Sequence, residues 1–227
     1  MNAALLLLVD GRFPAGGHTN SAGVEAAIQA GDVVDEATLE RYLYGRLATT
    51  GVTEAAFAAH VVGLASESTA AQRTLVVHAD AEYEARVLSP HLRTVSRRFG
   101  RQLARVGRPI WSHPLVGALD AVPGGAHQPI VLGALVAAAG GSPADAAAIA
   151  MHHLAAAVTT AGVRLLGLDP LAVAAMQARA GVVADELRSD AEGWATLPAA
   201  SLPADGGSLT EILAEDHGRW NARLFVA

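Results

Sequence analysis

The sequence contains no lysine, and all 16 of its basic residues are arginine. Lysine is the residue that forms Schiff bases and that a P-loop places against nucleotide phosphates, so both chemistries are excluded. The formal net charge of -6 also gives no reason to expect a basic surface for the phosphates of DNA or RNA. These absences favour another protein as the binding partner, and they argue against nucleotide hydrolysis and nucleic-acid binding.

Cysteine is absent as well. The chain therefore has no disulfide, thiolate zinc ligand or cysteine nucleophile, which fits a reducing compartment, and we expect a cytoplasmic protein. The apolar run at residues 3–9 lacks a basic leader and is too short to span a bilayer, so it predicts a buried first helix rather than a signal peptide. His152, His153 and Arg164 interrupt the apolar run at 146–166, which predicts the central helix of a bundle and no membrane span.

Aromatic residues make up only 4% of a chain in which the hydrophobic set reaches 52%. An interior of alanine, leucine and valine is filled best by closely approaching helices. Alternation with the period of a strand does not occur over a useful length. The sequence therefore predicts an all-α fold, a single-domain helical bundle of about eight to ten helices over residues 1–227.

Capping residues predict where the helices begin. Asn20 or Ser21 is expected to cap a helix that ends at a left-handed Gly31. Asp35 is expected to cap the next helix, which Gly51 breaks or bends. That helix has leucines every four residues, which form one buried stripe: Leu39, Leu43 and Leu47. Later helices are expected to begin at Ser66 or Ser68, Ser89, Ser142 and Asp169.

Three segments are predicted to lie outside the helices. Residues 107–126 are rich in proline and glycine and predict a long irregular connection. Residues 190–207 turn to proline, glycine, serine and aspartate and predict a flexible loop, and residues 221–227 form a short C-terminal tail.

The most distinctive stretch is residues 8–25, LVDGRFPAGGHTNSAGVE. It resembles the N-terminal signature of the UreF family of urease accessory proteins, in which a short helix ending in Asp leads through Pro-x-Gly-Gly to a polar pair and then Ser-x-Gly-x-Glu. Asn20 and Ala22 stand where close relatives carry a second His and a further Gly, which disfavours a metal role for this stretch. The turn is expected to depend on four structural residues: Pro14, Gly16, Gly17 and Gly23. Four polar residues are expected either to face a partner or to serve only the helix start: His18, Asn20, Ser21 and Glu25.

A second stretch, residues 96–103 (SRRFGRQL), resembles the arginine helix of the same family. Arg97 and Arg101 are four residues apart and therefore share a helix face, with Arg98 at its edge. The arginines and Gln102 are expected to contact an acidic partner, but a solvated face or the support of a buried carboxylate remains open. Arg164, in apolar surroundings, is expected to make an internal ion pair.

The C-terminal residues Arg223, Leu224 and Phe225 resemble the tail of the UreF family. Two large apolar side chains beside a charge at a free end should either fold back on the body or bind a groove on a partner. The resemblance favours the partner.

Neither catalysis nor a cofactor is predicted. His152 and His153 are adjacent on a helix and point about 100° apart, so they cannot chelate one metal ion together, and no metal ligand is predicted. A metal-dependent helical hydrolase is one alternative, but it would need Glu-x-x-His or His-Glu-x-x-His spacing, which does not occur. A helical DNA-binding regulator is the other, but only residues 97–108 form a basic helix, and they lack a helix-turn-helix lead-in.

The resemblance to UreF implies an activation chaperone for urease. In that family the protein joins a second accessory protein, UreD or UreH, and the GTPase UreG on apo-urease, so that nickel enters the buried active site. The resemblance also implies a homodimer whose tail docks on UreD/UreH and whose body recruits the GTPase. Such a scaffold hydrolyses nothing itself.

Overall fold

The computed structural model describes residues 2–13 and 19–226. These residues contain twelve α-helical segments and no β-strand. The helices are α1 Ala3–Val9, α2 Val24–Gln29, α3 Glu36–Arg46, α4 Val52–Gly63, α5 Thr69–Arg86, α6 Pro90–Gly107, α7 Pro114–Ala118, α8 Gln128–Ala138, α9 Pro143–Leu166, α10 Pro170–Leu187, α11 Ala191–Trp194 and α12 Ser208–His217. Eight of these have ten residues or more, and α7 and α11 are single turns. The predicted all-α bundle is confirmed. Pro14, Gly16, Gly17 and His18 lie outside the described residues.

Capping side chains begin the long helices where the sequence predicts. The Asp35 carboxylate accepts the Thr38 N–H at 2.8 Å and caps α3. Four other predicted caps also accept a backbone N–H from the first turn of their helices: Ser68, Ser89, Ser142 and Asp169. Each bond satisfies a donor that the helix cannot pair internally. These boundaries are confirmed because a cap acts within three residues of itself.

The start of α2 differs from the prediction. The helix begins at Val24, after Gly23 in the left-handed conformation with φ +86°, although the Ser21 hydroxyl accepts the Glu25 N–H of its first turn at 3.4 Å. Asn20 instead accepts the Ala22 N–H at 2.9 Å, inside the turn that precedes the helix. A Cβ atom on Gly23 would lie 2.6 Å from the Tyr42 hydroxyl, so both the backbone angle and the close approach require glycine. The predicted end at Gly31 is confirmed by its φ of +83°.

The first helix buries one face only. Leu5 and Leu8 are buried, whereas Leu6 and Leu7 point to solvent. The prediction of a buried first helix therefore holds for half of its leucines, because its seven residues pack on the body from a single side.

Helices α3 and α4 form one continuous rod. Residues 47–51 are a π-helical turn between them, so the helical backbone continues through Gly51, where the sequence predicted a break or a bend. The predicted stripe is confirmed, since three leucines in it are fully buried: Leu39, Leu43 and Leu47.

The core lies where α4 packs between α8 and α9. Two helical stretches, Glu36–Ser66 and Pro143–Leu166, are long and apolar enough to cross a membrane, but 67% of the apolar window of each is buried inside the protein. Their composition is therefore that of central core helices.

Alanine at Gly133 should destabilise the protein. A Cβ atom there would collide with the Ala58 carbonyl oxygen, since α8 crosses α4 with almost no gap. We expect Gly133→Ala to lower the free energy of unfolding by about 1–3 kcal/mol, measured by urea denaturation, because the helices must separate. Gly181→Ala on exposed α10 is the control, since no atom lies within 4 Å of its new methyl group. Equal stability of the two variants would contradict the close crossing.

Two segments that were predicted to be irregular contain helical turns. Residues 107–126 include α7, and residues 190–207 include α11 and a 3₁₀ turn at Ala199–Ser201. Trp194 and Leu202 of the second segment are buried in the core, where α11 packs against α4 and α9. Proline and glycine predicted a loop, but these two apolar side chains anchor the segment.

Candidate functional site

The C-terminal segment returns to the signature helix α2. One Glu25 oxygen accepts the Leu224 N–H at 2.8 Å, and the other accepts the Phe225 N–H at 3.0 Å. The His217 ring, at the end of α12, bonds the second oxygen at 2.9 Å. We call Glu25, His217, Leu224 and Phe225 the C-terminal anchor. It connects the two ends of the sequence through one carboxylate.

Phe225 is the apolar part of the anchor. Its side chain is only 2% exposed, and the Arg164 guanidinium lies 4.9 Å from the ring centroid. A cation over an aromatic face is attracted by the negative charge of the ring face. Beyond Phe225, the Val226 N–H donates to the Thr19 carbonyl at 2.8 Å, and the Val226 carbonyl lies 3.1 Å from Nε2 of His91. Arg164 therefore helps to hold this tail, and its predicted internal ion pair stays a prediction.

The tail exposes one large apolar side chain and not two. Leu224 is 65% exposed, whereas Phe225 is buried, so of the two predicted alternatives, folding back on the body is the one seen for Phe225. Arg223 Nη1 bonds the carbonyls of His217 and Gly218 at 3.4 and 3.3 Å, which closes the segment against the end of α12. The tail folds back because residues of the same chain, Arg164 among them, surround the Phe225 ring.

The carboxylate of Glu25 is stabilised in its ionised form. Burial raises the pKa of Glu25, but the Leu224 N–H, the His217 ring and the Phe225 N–H together lower it below its usual range. Glu25 is therefore charged at neutral pH and accepts three bonds. The sequence could not show this arrangement, because His217 is 192 residues away and Leu224 is 199.

Arg97 on α6 points into the protein. Its Nη1 lies 3.0 Å from Oδ2 of Asp80, a side chain that is 4% exposed. It also pairs with Glu84 and donates to the Gly125 carbonyl at 2.6 Å. The sequence left three roles open for Arg97: contact with an acidic partner, a solvated face, or support of a buried carboxylate. The structure shows the third of these.

The other residues of the arginine helix lie nearer the surface. Arg98 and Arg101 are exposed, and Gln102 is half-buried. Arg101 Nη1 donates to the Gly124 carbonyl at 2.9 Å, next to the carbonyl that Arg97 holds. Arg97 and Arg101 thus share a helix face, as predicted, and this face holds the turn at residues 124–125. Among the described residues, Arg98 makes no hydrogen bond to that turn.

One cluster has the spacing of a metal site. Ligand atoms of Asp80, Glu84 and His127 lie within 4.8 Å of one another. However, the Arg97 guanidinium already pairs with both carboxylates, and burial, assisted by the Arg97 charge, lowers the pKa of His127 to about 4. A second cation would have to displace Arg97 against this field. The arrangement is that of a partly buried ion-pair network, with Asp80 as its buried member, beside a neutral imidazole.

Known proteins resemble this chain over nearly its whole length. The UreF family model matches residues 33–181. The chain is 36% identical to urease accessory protein UreF of Mycobacterium sp. strain JLS, over 98% of this chain and 97% of that protein. It is 34% identical to the protein of that name from Mycolicibacterium vanbaalenii and 32% identical to that from Mycobacterium tuberculosis H37Rv, in each case over 99% of this chain and 98% of the relative. Matches of this extent place the helical bundle among the urease accessory proteins. The chain belongs to the UreF family.

Proposed function

We propose that this protein is a non-catalytic, cytoplasmic scaffold that bridges the UreD/UreH accessory protein and the UreG GTPase on apo-urease, for GTP-dependent insertion of nickel. Membership of the UreF family supports a role in urease maturation. The composition supports binding over catalysis, since the chain has neither lysine nor cysteine. In this proposal the scaffold needs no cofactor and acts as a homodimer.

The C-terminal region carries the proposal. Leu209 and Ile212 on α12 and Leu224 on the tail are all more than 60% exposed, although large apolar side chains usually avoid water. Contiguous exposed apolar patches are typical of protein interfaces, and Leu209 and Ile212 are three residues apart on one side of α12. We infer that UreD/UreH contacts these three residues while the C-terminal anchor holds Leu224 in place.

Deleting residues 224–227 should weaken recovery of UreD/UreH at least tenfold when the two proteins are co-expressed with UreG and purified together. Leu224→Asp should act similarly, since it places a charge in the apolar contact. Glu25→Gln should weaken recovery less, because the tail keeps its apolar residues but loses charged hydrogen bonds. Leu171→Asp is the matched control, a highly exposed leucine on α10. Full recovery with the truncated chain would contradict the tail assignment.

Arg98 is the residue that we propose for the contact with UreG. It is exposed on α6, and a guanidinium can make several directed bonds to an acidic partner. Arg98→Glu should lower the recovery of UreG and leave that of UreD/UreH unchanged, with exposed Arg73→Glu on α5 as the control. Loss of both partners, or of neither, would contradict this assignment.

The remaining polar residues of the signature stay predictions as partner contacts. Ser21 is fully buried, so a partner could reach it only if the turn opened. Asn20 is engaged within that turn, and Glu25 in the C-terminal anchor.

A further inference from the structure

Arg46, the last residue of α3, is a buried cation that makes no salt bridge with any of the described residues. Only 7% of Arg46 is exposed, and its Nε and Nη1 atoms are buried with no hydrogen-bond partner in the described part of the chain. No acid among those residues pairs with it within 4.0 Å, whereas the half-buried Arg97 makes two ion pairs. Buried charges are normally paired, so Arg46 is an exception that calls for an explanation.

The Arg46 side chain lines a cavity of about 430 Å³. This volume is within the range of small-molecule sites. Polar groups from α4 and α5 lie on its wall, among them Thr53, Glu54 and Tyr83. Apolar residues of α6 form another part of the wall: Leu92, Val95 and Phe99. Val95 and Phe99 form a small apolar cluster separate from the main core, which fits a space between α6 and the body.

Three of the acids around the cavity contact other groups: Asp10, Glu54 and Glu211. The Tyr83 hydroxyl donates to Glu54 at 3.4 Å, and burial raises the pKa of Glu54, although the charge of Arg46 acts in the opposite direction. Glu211 accepts the Ser89 N–H at 2.7 Å, and Asp10 pairs with Arg12 at 2.7 Å. The wall thus offers a cation and apolar surface, and no carboxylate of the described residues makes a salt bridge with that cation within 4.0 Å.

We propose that this cavity binds a small organic carboxylate, with its carboxylate at the Arg46 guanidinium and its apolar body against Leu92, Val95 and Phe99. A guanidinium fork matches the two oxygens of a carboxylate, and removal from water strengthens the pair. The apolar wall favours an organic acid over a hydrated inorganic anion, which would lose its water without replacement. This site is independent of the partner contacts proposed above.

Titration calorimetry with benzoate and hexanoate tests the proposal, with benzamide and hexanamide as neutral controls of the same shape. We expect saturable binding of at least one acid to the wild-type protein and at least tenfold weaker binding of its amide. Arg46→Met, which keeps the length of the side chain and removes its charge, should reduce affinity for the acid at least tenfold. Arg73→Met, at an exposed arginine of α5, is the matched control and should bind as the wild type does.

Equal binding by Arg46→Met, or no binding of either acid at millimolar concentration, would overturn the proposal. If Arg46→Met does not fold, the wild-type protein still decides the question by its melting temperature. An increase with the acid and none with the amide supports the site, and equal increases with both overturn it.

Discussion

Arg97→Met is expected to lower the free energy of unfolding by about 3–5 kcal/mol, which is the usual cost of removing one partner from a buried ion pair. Asp80 is 3% exposed, and Arg97 Nη1 lies 3.0 Å from its carboxylate. Without Arg97 the carboxylate keeps one strong donor among the described residues, the backbone N–H of His127 at 2.8 Å. The Asp80 charge would then remain in a low-dielectric interior with no cation as close to it as Arg97 is.

Urea denaturation at neutral pH measures this loss, with Arg98→Met as the control on the same helix. Arg98 is exposed, so its replacement should change stability by no more than about 0.5 kcal/mol. Asp80→Asn combined with Arg97→Met should recover part of the loss, since the buried charge is then removed together with its partner. A loss below 1 kcal/mol, on the order of a surface pair, would show that the network is not buried as described.

This result also bears on partner binding. A variant of Arg97 that fails to recover UreG would be explained by loss of the fold, because Arg97 points inward. Arg98 carries the same charge on the same helix without that role, which is why the partner experiment uses Arg98.

The second large effect is a loss of stability in mild acid that depends on His127. Its side chain is fully buried, and Nε2 lies 3.9 Å from the nearest Glu84 oxygen, too far for a hydrogen bond. Burial, together with the charges of Arg97 and Arg93, lowers the pKa of His127 from 6.5 to about 4, although Glu84 acts in the opposite direction. The unfolded chain therefore binds a proton at pH values where the folded protein does not.

The contribution of neutral His127 is fully present above pH 6.5 and is lost as the pH falls towards 4. By pH 5 the loss should reach about 2 kcal/mol, since each pKa unit corresponds to about 1.4 kcal/mol. The pKa of buried Asp80 is raised, which opposes this trend at the acid end, so pH 7.5 to 5 is the informative range. The measurement is urea denaturation of the wild type and of His127→Phe across that range.

His127→Phe should be less sensitive to acid than the wild type by that amount. It keeps a ring near Tyr83, whose centroid lies 5.0 Å away, and it loses no hydrogen bond of the described side chains. Burial also lowers the pKa of His60, His152 and His153, so both proteins keep a common residual slope. His78→Phe on the exposed side of α5 is the control. Identical pH profiles for the wild type and His127→Phe would contradict the assignment of the acid-dependent loss of stability to His127.

The sequence by itself determined the features that depend on residues close together in the chain. Asp35 and Ser142 cap their helices through N–H groups three residues away, and the four-residue spacing of Leu39 and Leu43 places both on one face. The all-α class and the family likeness follow from such local patterns, because these patterns do not depend on contacts with distant segments.

Only the tertiary structure decided which charges and apolar groups meet. Glu25 finds Leu224 across 199 residues, and Phe225 turns inward because Arg164 and its neighbours form a pocket that no local pattern encodes. Nothing in the sequence distinguishes Arg46, which is buried without an ion pair among the described residues, from half-buried Arg97, which pairs with two acids, or from exposed Arg98. The difference lies in how the helices pack, since burial and pairing depend on contacts between distant segments.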